Sequence, residues 1–155
     1  MNGTVPVISA WQTMTDYRVR PADWLGDNAA LRDLRTRVFI NEQHVPEALE
    51  WDGEDETARH WLAEDASQHA LGTVRLLANG HIGRMAVIPE YRGQGIGSAL
   101  LRAVLDAARA QGLDRVFLHA QTSAMEFYSR HGFRVCSEEF EDAGIPHRSM
   151  QRSAR

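Results

Sequence analysis

Apolar and polar residues alternate from Tyr17 to Arg20, the period of a short half-buried strand. The period then changes. Leu31, Leu34 and Val38 recur three or four apart and form one helical face, which Asp27 or Asn28 can cap. Glu42 to Thr57 holds neither period. It is acidic and broken by Pro46 and Gly53, so a loop with one short helical turn is expected. His60 to Glu64 and Ala70 to Ala78 read as strands. Asn79-Gly80 joins the second of these to the run His81 to Ile88, a strong hairpin signal. Leu100, Leu101, Val104, Leu105 and Ala108 return to helical spacing, in a helix that opens near Gly95 and stops at Gly112. Arg115 to Ala120 is the next strand. Ser123-x-x-Glu126 is a capping box for a short helix ending at His131-Gly132. Phe133 to Phe140 and His147 to Gln151 read as two last strands around a turn at Gly144-Ile145-Pro146.

Residues 1–15 read as an extension, and residues 16–155 as a single domain. The element order predicts a mixed α/β (α+β) fold. Its central sheet has six to seven strands, mostly antiparallel, flanked by helices.

Composition narrows the function classes. A chain of 155 residues can bury its own core, and 43% hydrophobic with 25% charged residues is ordinary for a soluble globule. A net charge of −4 and a pI of about 6.0 give no electrostatic case for nucleic acid. No apolar run reaches membrane-spanning length, and the first fifteen residues lack the layout of a signal peptide. Cys136 is the single cysteine, so no internal disulfide forms; this fits a reducing cytoplasm. Its neighbours Phe133 and Val135 put it on a strand. The seven histidines show no metal-ligand spacing, so no metal is expected.

The richest chemical signal is the run from Met85 to Ser98. An apolar strand ends at Pro89. Arg92 follows, then Gly93, Gly95 and Gly97 on alternate positions, then a helix. Free N–H groups at a helix start, glycines that admit close approach and a fixed positive charge together suit a phosphate group. No Lys follows Gly97, so this is not a Walker A loop, and the glycine spacing does not fit a dinucleotide fingerprint.

The run Arg92-Gly93-Gln94-Gly95-Ile96-Gly97, with its lead-in Val87-Ile88-Pro89-Glu90-Tyr91, resembles the acetyl-CoA loop of the GCN5-related N-acetyltransferases (GNAT). Phe127-Tyr128-Ser129-Arg130-His131-Gly132-Phe133 resembles a second signature of that family. The resemblance implies the acyl-CoA N-acyltransferase fold and acetyl-CoA as cofactor. It implies pyrophosphate contacts from Arg92, Gly93, Gln94, Gly95, Ile96, Gly97 and Ser98, and pantetheine contacts from the main chain of Met85, Ala86 and Val87. Tyr128 would protonate the leaving thiolate, a task suited to a phenol that keeps its proton at neutral pH. Many members carry an Asn before this helix; here the stretch is Gln121-Thr122-Ser123-Ala124, so that contact is either absent or replaced by Gln121 or Ser123.

Three further stretches resemble the ElaA-like and YjcF-like bacterial subgroup: Leu34 to Gln43, Glu50 to Asp55 and Glu141 to His147. The expected acceptor is a primary amine of a small molecule or a peptide. For the base that deprotonates it, Glu42 comes first, at the end of an apolar helix; Glu50, Asp52, His119 and His147 follow. If the acidic run Glu47 to Glu56 lines the acceptor mouth, it favours a cationic amine such as a polyamine or a lysine side chain. No nucleic-acid or membrane partner is expected. The oligomeric state stays open; a homodimer is one alternative, with Trp11, Trp24 or Trp51 as interface candidates. Two alternatives stand beside the acetyltransferase: a non-catalytic acyl-CoA sensor, and a transferase of longer acyl groups.

Overall fold

The computed structural model describes residues 16–155. The first half of the chain builds an antiparallel sheet from β1 (Tyr17–Ala22), β2 (Arg59–Asp65), β3 (Ala70–Leu76) and β4 (Ile82–Val87), paired in that order. β1 is an edge strand and therefore tolerates Pro21, which has no N–H to give a ladder. The second half pairs β5 (Arg115–Gln121) with the long β8 (Ile145–Ser153), which also carries β6 (Arg134–Val135) and β7 (Phe140–Asp142). Among the described residues these are eight strands in two four-stranded sheets.

The sheets meet at one point. A parallel bridge joins His81 to Phe117, and the Phe117 N–H donates to the Gly80 carbonyl at 3.1 Å. Gly80 is required there: its φ is +93°, and a Cβ would lie 2.6 Å from the Arg115 carbonyl oxygen. Beyond this bridge β4 and β5 share no ladder among the described residues, and a gap opens between them.

Helix α1 (Asn28–Arg35) runs into a π-helical stretch, Thr36–Glu42. A short α2 spans Glu47–Glu50. The long α3 (Ile96–Ala110) buries Leu100, Leu101, Val104 and Ala108 completely against β2, β3 and β4. Gly72 lets it come close: a Cβ there would stand 3.0 Å from Leu100 Cδ1. A last helix, α4 (Met125–Arg130), follows one 3₁₀ turn.

Several expectations need correcting. Asp27 does sit at the N-cap of α1, but its carboxylate is taken by Arg20 and the Asp23 N–H. Ser123-x-x-Glu126 does not form a capping box: Thr122–Ala124 is a 3₁₀ turn and α4 starts later, without a side-chain cap. The strand read over Phe133 to Phe140 breaks into β6 and β7. Cys136 lies just past β6 and is exposed. The last turn sits at Ala143-Gly144, both with positive φ as a two-residue hairpin of primed type requires. Trp11 lies outside the described residues. Trp24 and Trp51 are both used within the fold, Trp24 stacked on His60 and Trp51 under the guanidinium groups of Arg32 and Arg35.

Candidate active site

β4 carries an irregularity that aims the site. Gly83 pairs with Arg75 and Ala86 with Thr73, so Arg84 and Met85 together oppose Val74. This is a β-bulge, with Arg84 in the left-handed region at φ +48°. β4 then ends, Pro89–Tyr91 make a 3₁₀ turn, and the loop turns on Gly93 (φ +79°) and Gly95 (φ +84°) into α3. Arg92, Gly93 and Gly95 are exposed, while Ile96 is buried and anchors the loop to the core. A Cβ on Gly93 would meet nothing within 4 Å. The first intrahelical bond runs from the Ala99 N–H to the Gly95 carbonyl. The N–H groups of Ile96, Gly97 and Ser98 therefore have no partner within the helix. Open space, unclaimed donors and the positive end of a 15-residue helix fit a pyrophosphate.

Arg92 does not stand free. Its two terminal nitrogens donate to the two oxygens of Glu42, each at 2.7 Å, and Nε donates to the Val87 carbonyl at 2.8 Å. The hydrogen bonds from Arg92 hold the Glu42 carboxyl below its usual range. Glu42 is exposed, and it lies outside the lining of the cleft described next.

A cleft of about 310 Å³ occupies the gap between β4 and β5. Met85 and Tyr128 form one side. The Tyr128 hydroxyl donates to Met85 Sδ at 3.4 Å, and its ring packs edge-on against Phe127 and Phe133. Burial pushes the Tyr128 hydroxyl up to about 12, so it carries its proton across the neutral range. Gln121, at the end of β5, donates through Nε2 to Gln43 Oε1 at 2.9 Å and ties β5 to the π-helical segment. Ser123 is exposed and takes no part in the lining.

The opposite wall is imidazole and aromatic. His81 stacks on Phe117, His119 stands edge-on to His81 and Phe140, and Phe140 stacks on His147. His119 shares a 2.8 Å hydrogen bond between Nδ1 and Ser149 Oγ. His147 donates from Nδ1 to the Ile145 carbonyl at 2.7 Å, which leaves Nε2 as an acceptor. Burial, with smaller contributions from His119, Arg75 and Arg84, pushes His81 down to about 4. Burial also lowers His119; nearby Asp142 opposes this and His147 adds to it. His81 and His119 are thus neutral at pH 7.

Beneath the cleft the acidic loop is pinned by arginines. Arg35 is fully buried; its Nε meets Glu50 Oε2 at 2.8 Å and its Nη1 meets Asp55 Oδ1 at 2.6 Å. Arg75 grips Asp52 through two hydrogen bonds, at 2.9 and 2.8 Å, and reaches Asp55 at 3.1 Å. Arg84 Nε lies 3.2 Å from Glu50 Oε2, and Nη2 donates to Asp52 Oδ2 and to the Leu49 and Glu50 carbonyls. His60 Nε2 donates to the Asp55 carbonyl at 2.9 Å. The carboxylates respond differently. Burial raises Glu50 and outweighs its arginines. Burial also works against Asp52 and Asp55, but hydrogen bonds from Arg75 and Arg35 bring both below the usual range. The stretch read as a loop is therefore partly interior, with Glu50 only 2% exposed.

The structure thus brings Met85, Tyr128, Gln121, Glu50, His119 and His147 to one cleft, and keeps Glu42 with Arg92 at the loop. Sequence reasoning missed Arg35, Arg75, Arg84, Asp55, His60 and His81. One signal was present: Arg35 shares its helix face with Leu31 and Val38, where a charge needs a buried partner.

A second, shallower groove of about 650 Å³ runs along α3, lined by Arg102, Arg109, Arg130 and Arg152 with His131. His131 also ties it to the start of α3, where its Nε2 meets Ser98 Oγ at 3.0 Å. Asp106 and Glu126 pair with Arg109 and Arg130, whereas Arg152 meets only the His131 and Ser153 carbonyls. Among the described residues no metal-ligating group of His, Cys, Asp and Glu occurs, and no helix is long and apolar enough to cross a membrane.

Residues 22–154 match the family described as acetyltransferase (GNAT) domain. Over 122 residues the chain is 37% identical to the uncharacterized N-acetyltransferase YjcF of Bacillus subtilis, across 77% of this chain and 87% of that protein. Its likeness to Escherichia coli ElaA is 33% identity over 135 residues, 79% of this chain and 85% of that protein. The ElaA crystal structure superposes with a TM-score of 0.79 over 87% of this chain and 99% of that one. An acyl-CoA N-acyltransferase from Pseudomonas aeruginosa gives a TM-score of 0.77 at 35% identity, over 89% of this chain and 99% of that one.

Proposed function

The chain belongs to the acetyltransferase (GNAT) family, and from that premise we propose that it moves an acetyl group from acetyl-CoA to a primary amine while both are bound. It is an acyltransferase that uses an acyl-CoA. The observation that carries the reading is the Tyr128 hydroxyl against Met85 at the parting of β4 and β5, next to an open glycine loop.

When bound, acetyl-CoA supplies the thioester that the amine attacks. The loop N–H groups from Gly93 to Ser98 would take the pyrophosphate, with Arg102 and Arg152 adding positive charge along the groove. Main-chain groups of Met85, Ala86 and Val87 would pair with the pantetheine arm as an added strand does. An N–H near Val87 would face the thioester oxygen, where negative charge grows during attack; one such donor is worth about 3 kcal/mol. Tyr128 would give its proton to the sulfur as the C–S bond breaks.

The base is better sought in the cleft than at Glu42. A carboxylate held by Arg92 in two hydrogen bonds is a weak proton acceptor, and Glu42 instead fixes Arg92 against the end of β4. His119, neutral and in the cleft, can take the proton the amine loses, and Nε2 of His147 is a second acceptor there.

The test is release of free CoA thiol across a panel of amines. Tyr128→Phe should lower turnover about tenfold or more with acetyl-CoA affinity little changed. Unchanged turnover in that variant would remove Tyr128 from the chemistry.

A further inference from the structure

The arginines under the cleft bear on what the acceptor is. Glu50, Asp52 and Asp55 face Arg35, Arg75 and Arg84, so this part of the acidic stretch is charge-balanced, and the other acids of the stretch, Glu47, Glu54 and Glu56, are exposed and lie outside the lining of the cleft. His81 and His119 on the imidazole wall add no charge, since burial keeps both neutral. The acids and arginine that line the cleft are Glu50 and Arg84, side by side, with Asp142 on the hairpin of β7 and β8.

The network leaves part of each group unused. It engages Nε and Nη2 of Arg84 and Oε2 of Glu50, which leaves Nη1 and Oε1 for a ligand. Arg84 Nε is buried without a well-formed hydrogen bond, and the residue sits in a left-handed bulge that a large L side chain adopts only at a cost. Regular β-pairing would have put this side chain elsewhere. The bulge sets it in the cleft one residue before Met85, which touches Tyr128. Phe39, Val45 and Leu49 give the cleft an apolar helical side, and Ile82, Met85, Leu118 and Ile145 add to it among the histidines and glutamines of the strands. Its volume is at the lower end for small-molecule sites, the right scale for an amino acid beside a thioester.

We propose that the acceptor is a free α-amino acid with an apolar or aromatic side chain, its carboxylate bound by Arg84 and its ammonium drawn to Glu50. This rests on the acetyltransferase reading and names its substrate class. The amino acid loses one proton to become a free amine. Its nitrogen then bonds to the acyl carbon, the C–S bond breaks, the nitrogen gives up a second proton and the sulfur gains one. The products are an N-acyl amino acid, a thiol and one proton released to solvent.

The experiment uses the whole chain saturated with CoA and measures binding calorimetrically. Leucine, methionine and phenylalanine are each compared with their own carboxamides, which keep the amine and side chain and lose the negative charge. Spermidine is the polycation control. At least one acid should bind about tenfold or more tighter than its amide, the scale of a hydrogen bond to a charged group. Arg84→Gln should abolish that preference and Arg84→Lys should retain part of it, with acetyl-CoA affinity and melting temperature reporting that both variants fold. Equal or tighter binding of the amides, tightest binding of spermidine, or no binding by any of the acids would overturn the proposal. Failure of the wild-type chain to bind acetyl-CoA would instead strike at the cofactor site and take this proposal with it.

Discussion

Two acid–arginine arrangements in this molecule look alike on paper and differ in kind. At the loop, Arg92 and Glu42 form a bidentate pair whose side chains are 43% and 36% exposed. Under the cleft, Arg35 and Glu50 make contacts of similar length with side chains 1% and 3% exposed. Water screens the first pair and cannot reach the second. An exposed pair is worth about 0–1 kcal/mol, whereas removing one member of a buried pair costs about 3–5 kcal/mol, because the other is left charged and dry. The loop pair can therefore reorganise around a ligand at little cost. The buried network is a fixed floor, and it converts an acidic loop into a wall of the cleft.

The largest effect that tests this contrast is Arg35→Ala. It takes a buried guanidinium from both Glu50 and Asp55, leaving them only Arg84 and Arg75, and should lower unfolding free energy by about 3–5 kcal/mol in urea titration. A loss below about 1 kcal/mol would put the network in the same class as the loop pair.

A smaller effect should come from pH. His81, above the network, has its folded pKa at about 4 and an ordinary value of 6.5 when unfolded. Between those values the unfolded chain binds the extra proton, so His81 contributes stability that is complete above pH 6.5 and is lost as pH falls toward 4. The difference in melting temperature between wild type and His81→Leu should change in that window and be flat above it.

The smallest effects belong to the loop. Glu42→Gln should cost less than about 1 kcal/mol of stability, and Arg92→Ala likewise. Glu42→Gln should leave the pH profile of kcat/KM in place while weakening acetyl-CoA binding modestly. Loss of the acidic limb of that profile in Glu42→Gln would return Glu42 to the role of base.

Local signals carried most of the fold. The hairpin at Asn79-Gly80, the helix from Ile96 and its stop near Gly112 all form where turn chemistry and apolar spacing put them. Local signals failed where a distant partner outbid them. Asp27 is a good cap by type, yet Arg20 from β1 holds its carboxylate. Phe133 to Phe140 looks continuous as a strand, but β8 pairs only with its two ends. Glu47 to Glu56 looks solvated because the arginines that hold it come from α1, β3 and β4.

By itself the sequence determined the elements, the glycine loop at the start of α3 and the family. Each depends on residues within a turn or two of one another, where steric limits and helix-end donors act directly. The tertiary structure alone decided that Glu42 serves Arg92, that Glu50 lies buried beside Arg84, and that Tyr128 meets Met85. Those pairings join residues 34 to 50 positions apart. They depend on packing and on the bulge in β4, and charge pairing across such separations leaves no local period to read.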